Sequence, residues 1–113
     1  MILFPLQEAE LLDRYSVLMV KDEHGLDVRG DILAFALVVG DKLSDAMESD
    51  EFRDLIAINR TIFSLVEKAR KDECLASDVA SANDSRYLAK AAIQKRWFKT
   101  KLGETKTGIN RNE

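Results

Sequence analysis

The sequence predicts an all-α protein, a compact bundle of four to five helices with a hydrophobic central helix. Three observations favour this fold class. Only one Pro and five Gly occur in 113 residues, whereas turn-rich β-sandwiches need more of both. Apolar residues recur three and four positions apart, which is the spacing of one helix face. The unbroken apolar run 32–39 is too short to cross a bilayer, so we expect it in the protein interior.

The first predicted helix covers residues 6–21, with Leu12 and Tyr15 on its apolar face. Gly25 follows it and suits the left-handed conformation that ends helices. The apolar residues 1–6 lack a basic region, so we expect a hydrophobic staple there and not a secretory signal.

The second predicted helix covers residues 32–47 and is capped by Asp31. Its apolar run has no period of its own. Ala34 and Ala36 are poor strand residues, however, and helical spacing continues as far as Met47. This helix is apolar on every side for two turns and needs cover on every side. If one chain does not supply that cover, a second subunit must.

The third predicted helix, residues 52–71, is capped by Ser49 or Asp50 and carries the clearest amphipathic stripe. Asn59 is the one polar member of the stripe. A single Asn on a packing seam often fixes register, but we expect this one at the wet edge of the seam.

The last helical region begins at Ser77 or Asp78. We expect a break at residues 83–85, where Asn, Asp and Ser favour turns, and then a long helix to residue 102. One domain therefore covers residues 1–102, and the polar residues 103–113 form a disordered tail.

Charge is distributed unevenly along the chain. Residues 1–85 contain 9 basic and 18 acidic residues, and residues 86–113 contain 8 and 2, so the net charges are −9 and +6. The basic last helix either complements the acidic helices internally or offers a surface to phosphates or an acidic partner. The candidate ligand-binding residues of that surface are Arg86, Lys90, Lys95, Arg96 and Lys99. Nucleic acid would also need the nearby aromatic residues for stacking, but we place Trp97 and Phe98 in the core.

Two carboxylate pairs with three-residue spacing form a candidate metal site. Glu10 and Asp13 share a face of the first helix, and Glu51 and Asp54 share a face of the third. Four carboxylates from two facing helices could hold Mg²⁺. All-α nucleoside-triphosphate pyrophosphohydrolases carry a similar acidic quartet, and this resemblance implies a Mg²⁺-dependent nucleotide hydrolase. Both pairs also lie in first turns, where acids complement the helix dipole, so we favour a protein without a cofactor.

Cys74 and His24 are the only residues of their types, so neither an internal disulfide nor a zinc cluster is expected. A reducing, cytoplasmic location follows from this. We expect Cys74 to pack as a small hydrophobic residue and His24 to lie at the surface.

Three short segments share a pattern with known proteins. Residues 10–18 read E-L-L-D-R-Y-S-V-L, followed by Lys21; residues 58–70 read I-N-R-T-I-F-S-L-V-E-K-A-R; and residues 83–86 read N-D-S-R, with Lys90 beyond. Together these segments resemble a group of small helical bacterial and phage proteins classed as domains of unknown function. The group has an aromatic Trp where this chain has Phe63, and a Glu-Asp pair where it has Val66 and Glu67. The resemblance implies a helical bundle and no particular activity.

We therefore predict a small non-enzymatic binding protein, encoded by a phage or mobile element, with no membrane segment. It self-associates and holds a protein partner or a small anionic, nucleotide-like ligand. The alternatives are the Mg²⁺-dependent pyrophosphohydrolase and a nucleic-acid-binding protein that uses the basic C-terminal helix.

Overall fold

The computed structural model describes residues 7–103, which form five α-helices and contain no β-strand. The helices are α1 (Glu8–Glu23), α2 (Arg29–Val39), α3 (Ser44–Met47), α4 (Asp50–Arg70) and α5 (Ala76–Phe98), and the 3-10 turn Gly40–Leu43 joins α2 to α3. The prediction of an all-α bundle is confirmed. The staple predicted at 1–6 and residues 104–113 of the predicted tail lie outside the described residues.

The three long helices α1, α4 and α5 form the core, because α5 packs along α4 and α1 lies against both. Leu12, Leu55 and Ile93 are completely buried, one from each of these helices. Phe52 and Ile56 extend the buried side of α4. The amphipathic stripe predicted for the third helix therefore does form the centre of the bundle.

The apolar run 32–39 occupies a different place from the one predicted. Its helix, α2, packs on α1, and one side of it faces the solvent in the part whose side chains are described. Phe35 is half-buried against the core. Leu33 and Leu37 are 66% and 85% exposed. The prediction that this run forms a hydrophobic central helix is wrong, because a continuous apolar run has no period that distinguishes a buried side from an exposed one.

The predicted helix 32–47 is divided into three parts. It begins earlier, at Arg29, so Asp31 lies in the first turn of α2 and is not its cap. The α-helix ends at Val39, and the 3-10 turn starts at Gly40. Glycine costs about 1 kcal/mol relative to Ala inside a helix, which favours an end of the α-helix at this position.

Two predicted helix ends are confirmed. The Ser49 hydroxyl accepts a hydrogen bond from the Phe52 amide at 3.2 Å and caps α4. Gly25 has a φ of +80° just after α1, in the left-handed region that favours glycine. These ends were predictable because each depends on one residue type at one position.

The structure differs from two predictions for α5, namely its first residue and a break at residues 83–85. The helix begins at Ala76, and the Asp78 carboxylate accepts a hydrogen bond from the Leu75 amide at 3.1 Å. No break occurs at residues 83–85. Asn83 Nδ2 and Ser85 Oγ instead donate to backbone carbonyls one turn earlier, which satisfies both side chains without interrupting the helix.

Candidate functional site

A buried polar cluster lies where α1, α4 and α5 meet. The Asp13 side chain is 4% exposed and receives two hydrogen bonds from Arg86, Nε to Oδ1 at 2.9 Å and Nη2 to Oδ2 at 2.5 Å. Asn59 Nδ2 donates to Asp13 Oδ1 at 3.0 Å and to Ser16 Oγ at 2.6 Å. The Ser16 hydroxyl donates to the Asp13 backbone carbonyl at 2.7 Å. We refer to these four residues as the polar network.

Within the polar network, the positive charge of Arg86 balances the negative charge of Asp13. The hydrogen bond with Asp13 raises the pKa of the Arg86 guanidinium above its ordinary value. Lys90, one turn further along α5, binds Glu10 with its Nζ 2.8 Å from Oε1. Its Nζ also lies 4.0 Å from Asp13 Oδ2. A two-pronged arginine–carboxylate pair tolerates little misalignment, so the network holds α1 and α5 in one register.

The three sequence segments that resemble the helical family meet in this network. Asp13 and Ser16 come from the first segment, Asn59 from the second and Arg86 from the third, and Lys90, just beyond the third segment, lies 4.0 Å from Asp13. Asn59 is buried. The prediction that it lies at the wet edge of its seam is therefore wrong, whereas the resemblance itself stays a prediction.

Three of the five predicted ligand-binding residues are paired with carboxylates of neighbouring helices. Arg86 and Lys90 are engaged with carboxylates of α1. Arg96 binds Glu51 on α4, and its guanidinium carbon lies 4.8 Å from the centre of the Trp97 ring. The two remaining residues, Lys95 and Lys99, are exposed. Three of the five basic side chains thus pair with acidic groups of neighbouring helices. This pairing favours the interpretation in which the basic helix complements the acidic helices within the protein.

The four carboxylates of the predicted metal site do not come together. Glu10 and Asp13 pair with basic residues of α5, and Asp54 is exposed. The Arg96 hydrogen bond holds the pKa of the Glu51 carboxyl below its ordinary value. Within residues 7–103, no three His, Cys, Asp or Glu side chains are grouped so that they could hold a metal ion.

His24 and Cys74 have structural surroundings. The His24 ring stacks on Phe63 with 4.1 Å between ring centres, and its Nδ1 lies 2.9 Å from the Val20 carbonyl oxygen. The residue is exposed, as predicted for it. Cys74 is half-buried, and its thiol donates to the Leu65 carbonyl at 3.4 Å.

The buried Gln94 side chain has a structural role that the sequence analysis did not predict. Its side-chain oxygen accepts a hydrogen bond from the Ala9 amide at 3.0 Å, and its Nε2 donates to Glu8 Oε1 at 3.0 Å and to Thr100 Oγ1 at 2.8 Å. The N-cap residue of α1, Gln7, makes no side-chain capping bond. Gln94 of α5 therefore caps the N-terminus of α1 in place of a neighbouring residue. Because Gln94 is far from α1 in sequence, a local sequence pattern cannot predict this cap.

The outward side of α2 is an exposed apolar surface. Leu33 and Leu37 lie one turn apart on the same side of the helix. Ala34 and Ala36 are also exposed and flank the two leucines. Single exposed leucines are ordinary, but adjacent apolar side chains on one surface are typical of interaction sites. We refer to these four residues as the α2 surface.

A cleft of about 450 Å³ lies beside the α2 surface, between α1 and α2. Its walls combine apolar and charged side chains, namely Arg14, Val17, Leu18, Asp31, Ala34, Phe35 and Arg86. Arg14 and Asp31 carry opposite charges, and Arg86 is already bound to a carboxylate. The cleft therefore lacks the excess of one charge that would select an anionic ligand.

In comparisons with known proteins, no family model, curated protein or solved structure matches this chain. Among residues 7–103, no helix combines the length and the apolar character needed to span a membrane. The fold defines an all-α helical bundle, a class of protein that hosts many unrelated functions.

Proposed function

We propose that this chain is a non-enzymatic interaction protein that binds another protein surface through the α2 surface. The observation that carries the proposal is the exposure of Leu33 and Leu37 on a helix whose opposite side is packed. Full burial of one leucine contributes about 1.5–3 kcal/mol. Covering both side chains would therefore supply a substantial part of a binding free energy.

The anchoring of α2 supports this proposal. Phe35 packs against the core from the inner side of the helix. Leu43 and Ala46, in the segments that follow α2, are both buried. A surface that is already held in place loses little conformational entropy on binding, so more of the apolar burial contributes to affinity.

The state of the interior carboxylates also supports a binding function. Glu10, Asp13 and Glu51 each hold a basic side chain of α5. Catalytic carboxylates need an open position next to a substrate, a water or a metal ion. Their pairing here favours a role in positioning helices.

A site-specific crosslinking experiment tests the proposal. A benzophenone amino acid at position 37 or 33, in cells of the protein's natural source, should give protein adducts on irradiation, to be identified by mass spectrometry. The matched control is position 75, because Leu75 is 69% exposed and Leu33 66% exposed. Absence of adducts at 37, or equal yields at 37 and 75, would contradict binding through the α2 surface.

A further inference from the structure

We propose that the partner on the α2 surface is a second copy of this chain, whose α2 packs antiparallel across a two-fold axis at the level of Phe35. This inference rests on the proposed function, because it names the occupant of the same surface. Three features of α2 support a second copy: the order of its apolar residues, the charges at its ends and the size of its flanking residues.

The apolar residues of α2 are arranged symmetrically about Phe35. Ala34 and Ala36 are its immediate neighbours, and Leu33 and Leu37 stand two positions away on either side. In a two-fold antiparallel pair, a residue before the axis faces the residue at the same distance after the axis on the other copy. Leu33 of each copy would therefore meet Leu37 of the other, and both leucines would be covered.

The charges near the ends of α2 follow the same symmetry. Arg29, the first residue of α2, precedes Phe35 by six positions, and Asp41, in the 3-10 turn two residues after α2, follows it by six. Both residues are exposed. In the antiparallel pair, Arg29 of each copy would lie near the level of Asp41 of the other, so opposite charges would be brought towards each other twice. A parallel pair would bring Arg29 next to Arg29. Charge complementarity therefore favours the antiparallel arrangement.

The small residues beside the leucines allow close packing. The small side chains of Ala34 and Ala36 lie on either side of Leu33 and Leu37. Two helices can then approach to the lower part of the usual range of about 8–10 Å between axes. Because one short helix per copy gives an interface at the small end of known complexes, we expect a dissociation constant on the order of micromolar.

Sedimentation equilibrium of the full chain measures this association directly. The wild-type chain should pass from monomer to dimer mass as its concentration rises through the micromolar range. Leu37→Glu should weaken the dimer at least about 100-fold, because each dimer loses two buried leucines. Leu75→Glu, at a similarly exposed leucine, should leave the dissociation constant unchanged.

A charge reversal distinguishes a second copy from any other partner. Asp41→Arg should weaken the dimer about ten-fold, because it places like charges together twice. Adding Arg29→Asp to the same chain should restore the wild-type affinity, since both pairs become opposite in sign again. A wild-type chain that stays monomeric up to about millimolar concentration, or a dimer that the double reversal does not restore, would overturn the second-copy inference. Crosslinks from position 37 to a different protein would in that case still support the proposed function.

Discussion

Replacing Leu55 with Ala is expected to lower the free energy of unfolding by about 3–4 kcal/mol. Leu55 is completely buried in the core shared by α1, α4 and α5. Truncation there removes apolar contacts and leaves a cavity that three packed helices can fill only in part. Urea denaturation followed by circular dichroism measures the loss.

Leu75→Ala is the matched control for this core variant. Its leucine is exposed at the start of α5, so the same truncation should change the free energy of unfolding by no more than about 0.5 kcal/mol. Equal effects at positions 55 and 75 would show that the three-helix core has been assigned to the wrong residues.

Replacing Asp13 with Ala is expected to cost about 3 kcal/mol, the second large effect. The change leaves the Arg86 guanidinium without its carboxylate in a part of the protein that is mostly closed to water, and Asn59 loses an acceptor. We place the cost at the lower end of the range for broken buried ion pairs because the Arg86 side chain is 28% exposed and can be partly rehydrated.

An exposed ion pair provides the comparison for Asp13. Asp50 pairs with Arg53 on the surface of α4, so Asp50→Ala should cost about 0–1 kcal/mol. Combining Asp13→Ala with Arg86→Met should recover part of the lost stability, since no unpaired charge then remains. If Asp13→Ala costs no more than Asp50→Ala, the polar network does not contribute to the stability of the fold.

The parts of the fold that were predicted from sequence are those set by local patterns. The stripe on α4 was predictable because its spacing is specific to one helix face, and the caps at Ser49 and Gly25 depend on single residues. The prediction that the run 32–39 is buried was wrong because this run has no such specific pattern. With apolar residues at every position of the run, neither of its sides is marked as the buried one, and only the packing of the other helices decides.

The polar network could not be predicted because its members are far apart in sequence. Asn59 lies 46 positions from Asp13, and Arg86 lies 73 positions from it. Asn59 did carry a local signal, as the one polar residue in an apolar stripe, but its partner was not identifiable. The prediction that four carboxylates come together in a metal site was wrong for a related reason. A spacing of three residues places two acidic side chains on one helix face, but it does not show whether a metal ion or a basic side chain lies opposite them.

The outer position of α2 makes its exposed side available for binding. A buried run 32–39 would have been part of the scaffold, with no direct role in binding. As an outer helix it is the most apolar exposed element that the structure describes, and its symmetric sequence is the basis of the proposed pairing with a second copy. Under the proposed function, the binding residues are Leu33 and Leu37, whereas Arg86, Lys90 and Arg96 of α5 pair with carboxylates of neighbouring helices.

The most direct test is the free energy of unfolding of the Leu33→Glu, Leu37→Glu double variant, measured at a concentration where the wild-type chain is monomeric. If the α2 surface faces water in the monomer, the variant will lie within about 0.5 kcal/mol of the wild-type chain. A loss of about 3 kcal/mol or more, as expected when carboxylates replace leucines in a core, would contradict this placement and put the run 32–39 inside the protein.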